Sequence, residues 1–177
     1  PGKYTNRLLS ATLQNWSIDT RVFARSATPV NIIGTTGADP GSGANLEYQP
    51  NLIPGQPLYI RDLNAPGGRR INPSAFQALA AGQQGNLGRN VARGFGSAQA
   101  DVALRREFGL TERLRLELRA EALNVFNRAN FGAISNQLSD PMFGLATSTL
   151  NAQLGGLNAL YQIGGPRSAQ LALKLKF

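Results

Sequence analysis

The sequence predicts an all-β fold, an antiparallel meander of about four strands with one tight turn and two very long connections. Three observations lead there. Apolar residues recur at every second position in four segments, those segments are about nine to eleven residues long or more, and aromatic residues gather at corresponding strand ends. The clearest segment is ERLRLELRAEALNVFN, residues 112–127. Leu, Arg, Glu and Ala are strong helix formers, yet Leu114, Leu116, Leu118, Ala120 and Ala122 alternate with Arg113, Arg115, Glu117, Arg119 and Glu121. On a helix of about 3.6 residues per turn Leu114 and Leu116 would point to nearly opposite sides, and no apolar stripe would form.

Three other segments share the pattern. WSIDTRVFA (16–24) sets Trp16, Ile18, Thr20, Val22 and Ala24 against Ser17, Asp19, Arg21 and Phe23. ADVALRREF (100–108) sets Ala100, Val102, Leu104 and Phe108 against Asp101, Ala103, Arg105 and Glu107, with Arg106 the misfit on the apolar side. AQLALKLKF (169–177) sets Ala169, Leu171, Leu173, Leu175 and Phe177 against Gln170, Ala172, Lys174 and Lys176. The strands are therefore expected over 15–32, 98–109, 112–127 and 168–177.

The second and third strands are joined by the hairpin-length GLTE, whereas the other connections, 33–97 and 128–167, are far longer than compact soluble domains favour. Tight turns on one side and long excursions on the other are the habit of outer-membrane barrels, whose extended loops lie outside the cell. With the C-terminus on the periplasmic side, Trp16, Phe108 and Phe177 all fall at the periplasmic end of the apolar face, as an interfacial girdle would, and Phe126 belongs to the outer girdle. The expectation is thus of transmembrane strands with long extracellular loops, the C-terminal part of a larger outer-membrane β-barrel. Lipid-facing positions are then Trp16, Ile18, Val22, Val102, Leu104, Phe108, Leu114, Leu116, Leu118 and Phe126. Lumen-facing positions are Asp19, Arg21, Asp101, Arg105, Glu107, Arg113, Arg115, Glu117, Arg119, Glu121, Lys174 and Lys176. Two rivals stay open: a soluble secreted β-sandwich or adhesin-like binding module, in which the charged side meets bulk water, and a passive porin built from several copies.

Composition excludes several functions. There is no cysteine and no histidine, so thiolate chemistry, disulfides, catalytic triads and imidazole metal sites are absent. No apolar run approaches the length of about 18 residues that a spanning helix needs. The net charge of +8 invites a nucleic-acid reading, but the arginines are dispersed and often adjoin acids, as in Arg105-Arg106-Glu107, so no nucleic acid is expected as a partner. The few carboxylates alternate with basic neighbours, which suits a cross-strand ion ladder of Glu107 and Arg105 against Arg113 to Glu117 better than an enzyme site. No cofactor is expected.

The glycines of GNLGRN (85–90) and ARGFG (92–96) lack a P-loop context and are assigned to turns with positive φ. NLIPGQPLYI (51–60), NPSAF (72–76) and SNQLSDPMFG (135–144) read as proline-punctuated loops. Residues 1–14 are expected to form a periplasmic turn, in part helical. No basic n-region or apolar h-region follows Pro1, which suggests a removed leader or the downstream part of a longer protein.

The order of motifs, from NWSIDTRVFARSATPVNI through NLIPGQPLY, INPSAF, GNLGRNVARGFG, ADVALRREFGLTERLRLELRAEALNVFNRANFG and DPMFG to LALKLKF, resembles the C-terminal end of TonB-dependent outer-membrane transporters. It is most similar to the group with an N-terminal carboxypeptidase-regulatory-like domain, although ARGFGSAQADVAL lacks the aromatic often found before that strand. The resemblance implies a barrel of about 22 strands filled by a plug, importing large nutrients such as siderophores, glycans or peptides with energy delivered through TonB. It also implies partners: the rest of the barrel and its plug, the TonB complex through regions outside this chain, the lipid bilayer, and the outer-membrane assembly machinery. The last of these would recognise Leu171, Leu173, Leu175 and Phe177. No ligand-binding residue transfers. Four strands cannot close a barrel, the smallest of which have about eight, and open edges in lipid leave backbone groups unpaired.

Overall fold

A computed structural model describes residues 14–39, 41–154 and 163–177. All but Gln14 of the turn expected over 1–14 lies outside the described residues. Among the described residues twelve strands follow one another: β1 (Trp16–Arg25), β2 (Pro29–Val30), β3 (Thr35–Ala38), β4 (Asn45–Tyr48), β5 (Asn51–Leu52), β6 (Tyr59–Arg61), β7 (Arg69–Ile71), β8 (Phe76–Gln77), β9 (Ala92–Arg93), β10 (Ser97–Gly109), β11 (Arg115–Leu123) and β12 (Ser168–Lys176). The chain divides into two compact units, one of Pro1–Phe23, Gln99–Arg128 and Pro166–Phe177, the other of Ala24–Ala98 and Ala129–Gly165.

The first unit holds a four-stranded sheet in the order β1-β10-β11-β12, with β10 antiparallel to β11 and β11 antiparallel to β12. The connection between β10 and β11 is Leu110–Leu114, longer than GLTE suggested. Leu110 and Thr111 both donate backbone N–H groups to the Leu114 carbonyl (2.9 and 3.1 Å), and the Thr111 hydroxyl accepts the Leu114 N–H at 3.0 Å. Those bonds draw Arg113 and Leu114 into the turn, so β11 begins at Arg115 and not at 112. It ends at Leu123 because Asn124 and Asn127 take left-handed φ values of 50°, a conformation asparagine tolerates. Asn124 fixes the turn by accepting the Arg128 N–H (3.1 Å), donating from Nδ2 to the Arg128 carbonyl (2.9 Å), and donating its own N–H to Asp101 (2.9 Å). At its own start β1 follows Asn15, also left-handed with φ 64°. It stops at Arg25, well short of residue 32; Pro29, which lacks an N–H, opens β2 in a ribbon with β9.

In the second unit the two long connections are a folded body. Four two-stranded ribbons form, β2-β9, β3-β4, β5-β8 and β6-β7, around a core of Ile32, Ile71, Ala75, Phe76, Leu87, Ala92 and Phe143. Phe76 meets Phe143 edge to face at 5.9 Å. The earlier and later excursions are stitched together. Ile33 donates to the Asn136 carbonyl and accepts from Leu138 (2.9 Å each), Ile71 donates to the Gly144 carbonyl (3.1 Å), and Arg70 donates to the Phe143 carbonyl (2.6 Å). The proline-punctuated segments supply this body. Asn72 of NPSAF caps the short turn Pro73–Ala75 by accepting the Ser74 N–H at 3.1 Å, while its Nδ2 donates to the Pro57 carbonyl at 2.9 Å. In DPMFG, Asp140 accepts the Ser135 hydroxyl and the Met142 N–H (2.8 Å). Those bonds hold its carboxyl below the usual carboxylate range, the serine hydroxyl contributing most.

The assignment of GNLGRN and ARGFG glycines to positive φ does not hold. None of Gly85, Gly88, Gly94 and Gly96 is left-handed; in that stretch the left-handed residue is Asn90, with φ 59°. What Gly85 provides is close approach. Its N–H donates to the Gln49 carbonyl at 2.8 Å, and a Cβ there would fall 2.2 Å from the Pro50 carbonyl oxygen.

Gly144 combines both demands: φ is +78°, and a Cβ would lie 2.4 Å from the Ile71 carbonyl oxygen. Gly43 has a similar φ of +69° with open space around it. Gly43→Ala should therefore cost about 1–2 kcal/mol from backbone strain alone. Gly144→Ala should cost distinctly more and speed hydrogen exchange across β7 and the DPMFG turn, measured by mass spectrometry.

Candidate functional site: the two faces of the sheet

Register decides which side chains share a face. Reading across β10, β11 and β12, the apolar rows are Phe108–Leu116–Leu175, Arg106–Leu118–Leu173, Leu104–Ala120–Leu171 and Val102–Ala122–Ala169. The intervening rows are Gly109–Arg115–Lys176, Glu107–Glu117–Lys174, Arg105–Arg119–Ala172 and Ala103–Glu121–Gln170. An ion pair between Asp19 and Arg105 puts Asp19 of β1 on the charged side, with Arg21 on the same side by alternation. Trp16 lies beside Arg106 on the apolar side, with Ile18 and Val22 following it by alternation.

Three positions depart from strand parity. Arg113 and Leu114 lie in the β10–β11 turn, and Phe126 lies in the turn after β11, beyond left-handed Asn124. Strand alternation assigns none of them a face. Asp101 is drawn into the turn after β11, accepting from the Asn124 N–H and from Gln99 (2.8 Å).

On the charged face the register sets like charges opposite one another, Glu107 against Glu117 and Arg105 against Arg119, which is unfavourable for directly facing pairs. Diagonal partners from neighbouring positions neutralise them. Lys176 reaches both Glu107 and Glu117 at 2.5 Å, Arg115 approaches Glu107 at 3.8 Å, and Arg119 pairs with Glu121, which also accepts from Gln170. The ladder expected between Arg105 or Glu107 and residues 113–117 is thus realised as Glu107–Arg115. Arg105 turns instead to Asp19, because its facing residue is Arg119.

On the apolar face the residues of the outer strands are exposed. Leu171, Leu173, Ile18 and Val22 are 80, 68, 67 and 78% exposed, and no residue of β1, β11 or β12 is buried. A soluble sandwich would bury one of these faces beneath a second sheet about 10 Å away. Arg106, the apparent misfit, has its guanidinium carbon 4.5 Å from the Phe108 ring centre and 5.0 Å from that of Trp16.

The second unit carries an open cleft of about 680 Å³, lined among others by Asn31, Asn45, Tyr48, Gln49, Gln84 and Arg89. Sequence periodicity gave no signal for it, since its residues come from separate turns and ribbons. Among the described residues no cluster of acids could hold a metal ion.

A sheet with one exposed apolar face and one ion-paired face has the two-sided pattern of an outer-membrane β-barrel wall. The chain belongs to the outer membrane beta barrel domain family, whose model matches residues 1–170. It resides in the bacterial outer membrane, and barrel domains of this kind are structural and transport elements, not catalysts. Comparison with curated proteins and with solved structures gave no match.

Lys176 is the residue that holds two facing carboxylates together. Lys176→Met should destabilise the sheet modestly, as loss of a partly exposed ion pair does. Adding Glu107→Gln to that variant should recover part of the loss, as read from urea midpoints in detergent micelles. Equal losses with and without Glu107→Gln would show that the carboxylate pair is not what Lys176 neutralises.

Proposed function

We propose that the chain is the C-terminal wall of a larger TonB-dependent outer-membrane importer of large nutrients such as siderophores, glycans or peptides. In this reading β1, β10, β11 and β12 cross the bilayer, and the connections 33–97 and 128–167 are extracellular loops. The observation that carries the proposal is the bare apolar face backed by a neutralised ionic face. The resemblance of the motif order to TonB-dependent transporters adds the energy source and substrate class. Ile18, Val22, Val102, Leu104, Leu116 and Leu118 would touch acyl chains, Trp16 and Phe108 the periplasmic interface. Asp19, Arg21, Arg105, Glu107, Arg115, Glu117, Arg119, Glu121, Lys174 and Lys176 would line a wet interior. The outer edges of β1 and β12 would pair with further strands, and the plug and TonB-contacting segment would come from outside these residues. The amide-lined cleft of the second unit offers hydrogen bonds to a hydroxyl- or amide-rich nutrient.

Lipid contact predicts a cost that solvent contact does not. Leu116→Arg should destabilise the barrel by ~2–4 kcal/mol if that row lies near mid-bilayer and by about 0–1 kcal/mol near an interface, with Leu118→Arg completing the depth profile. Both would be read from reversible unfolding in vesicles, and two substitutions without cost would sink the lipid-facing assignment.

Leu171, Leu173 and Leu175 stand on one side of β12 and, with Phe177 just beyond its end, are proposed as the assembly signal. Deleting Phe177, 94% exposed at the chain end, should lower the amount of heat-modifiable protein in outer-membrane fractions several-fold while leaving synthesis unchanged. Unaltered membrane levels would reject the assignment.

A further inference from the structure

Three side-chain amides meet at the cleft of the second unit. Gln49 donates from Nε2 to Asn31 Oδ1 at 3.1 Å, and Gln84 donates from Nε2 to Gln49 Oε1 at 3.2 Å, so the three form a relay along the lining. Backbone groups hold their carriers in place without using those amides. The Gln49 carbonyl accepts the Gly85 N–H at 2.8 Å and the Pro50 carbonyl accepts the Leu87 N–H at 3.1 Å, which ties the Gln84 segment to the chain just after β4. Asn136 Nδ2 likewise donates to the Asn31 carbonyl at 2.6 Å. The relay is unfinished at both ends: among the described residues, the Nδ2 group of Asn31 and the Oε1 atom of Gln84 bond to no protein atom.

An array that ends in a donor on one side and an acceptor on the other is matched by groups that both give and take a hydrogen bond, as hydroxyls do. The charges in the lining, Glu47 and Arg89, cancel, so neither an anion nor a cation is favoured. Tyr48 adds one ring to the lining, and its apolar body suits the C–H side of a pyranose. We propose that the cleft binds a neutral oligosaccharide, with Asn31, Gln49 and Gln84 reading its hydroxyls and Tyr48 stacking on a sugar ring. The inference rests on the importer reading above and narrows its nutrient class. A peptide is a poorer match, because it binds best by adding a backbone strand to a ribbon edge, and the groups on offer here are side-chain amides. The cavity, about 680 Å³, lies within the ~300–1,000 Å³ of ordinary small-molecule sites.

The test uses the full-length barrel in detergent and isothermal titration with neutral gluco-, manno- and xylotetraose, with trigalacturonate as an anionic probe and tetraalanine as a peptide. At least one neutral tetrasaccharide should bind saturably, and neither trigalacturonate nor tetraalanine should displace it. Gln49→Ala, which removes the middle of the relay, should weaken that binding on the order of tenfold. Gln84→Ala, exposed and bonded through its side chain only to Gln49, should weaken it less. Hydrogen exchange across β3 and β4 checks that both variants keep the ribbon, and Gln84→Ala, at the surface, provides the reading if Gln49→Ala loses it. Saturable binding of none of the three tetrasaccharides would overturn the site, as would equal affinity in wild type and Gln84→Ala, or displacement by trigalacturonate or tetraalanine. Uptake of radiolabelled tetrasaccharide by cells separates the two levels of the argument. Binding by the purified barrel with uptake unaffected by loss of TonB would reject the importer reading and leave the cleft. TonB-dependent uptake of another nutrient, with no tetrasaccharide bound, would reject the cleft alone.

Discussion

Strand register is the constraint on which the sheet depends. Side chains alternate with a period of two, so a slip of one residue between β10 and β11 would carry Leu116 and Leu118 onto the side of Glu107 and Arg105 and place Glu117 and Arg119 among the leucines. The charged face does not defend the register by simple opposite pairs, since Glu107 faces Glu117 and Arg105 faces Arg119. It defends it through diagonals that depend on all four strands at once: Asp19 from β1 for Arg105, and Lys176 from β12 for the two glutamates. Arg105 of β10 draws on β1, while Glu107 of β10 and Glu117 of β11 both draw on β12. Sheet order and register are thereby coupled.

The turn chemistry protects the same register. Five residues connect β10 to β11, and the Leu114 carbonyl accepts two of their N–H groups while Thr111 accepts a third. Shortening that turn would shift every row beyond it. At the far end of β11 the Asn124 side chain closes on both polar groups of Arg128, so pairing is terminated by a hydrogen-bonded turn and does not fray into an unpaired backbone.

Much of this was legible in the sequence, and the residues that escaped did so for physical reasons. Period two is a direct consequence of strand geometry, so the four long strands and the division of their side chains between two faces could be read from Leu116, Glu117, Leu118 and Arg119. Strand ends could not, because they are set by hydrogen bonds within the turn; Arg113, Leu114 and Phe126 were given faces they do not inherit. Ion partners could not either, since they require a register that alternation leaves free by two residues. The long connections were the least legible part. Their core residues, Ile32, Ile71, Phe76, Leu87 and Phe143, are far apart in sequence and show no period, and the glycine runs look like turns when Gly85 is needed for close approach to Pro50.

The two units also solve the problem of apolar burial in opposite ways, and this explains how a chain that is only 42% hydrophobic supports both. In the second unit, Phe143, Ile71 and Ile32 are withdrawn from solvent by each other, and the two excursions are joined by backbone hydrogen bonds, so ordering long loops is offset by a core within the unit. In the sheet, leucines such as Leu171 and Leu173 are left outside any core, and the opposite face is filled with ions that could not pack against an apolar layer. The favourable transfer of those leucines out of water must come from a partner external to the strands. In the proposed reading a bilayer supplies it without asking for shape complementarity, so these positions need only be plain Leu, Val and Ala in alternation, while the second unit needs particular glycines, prolines and asparagines at particular places.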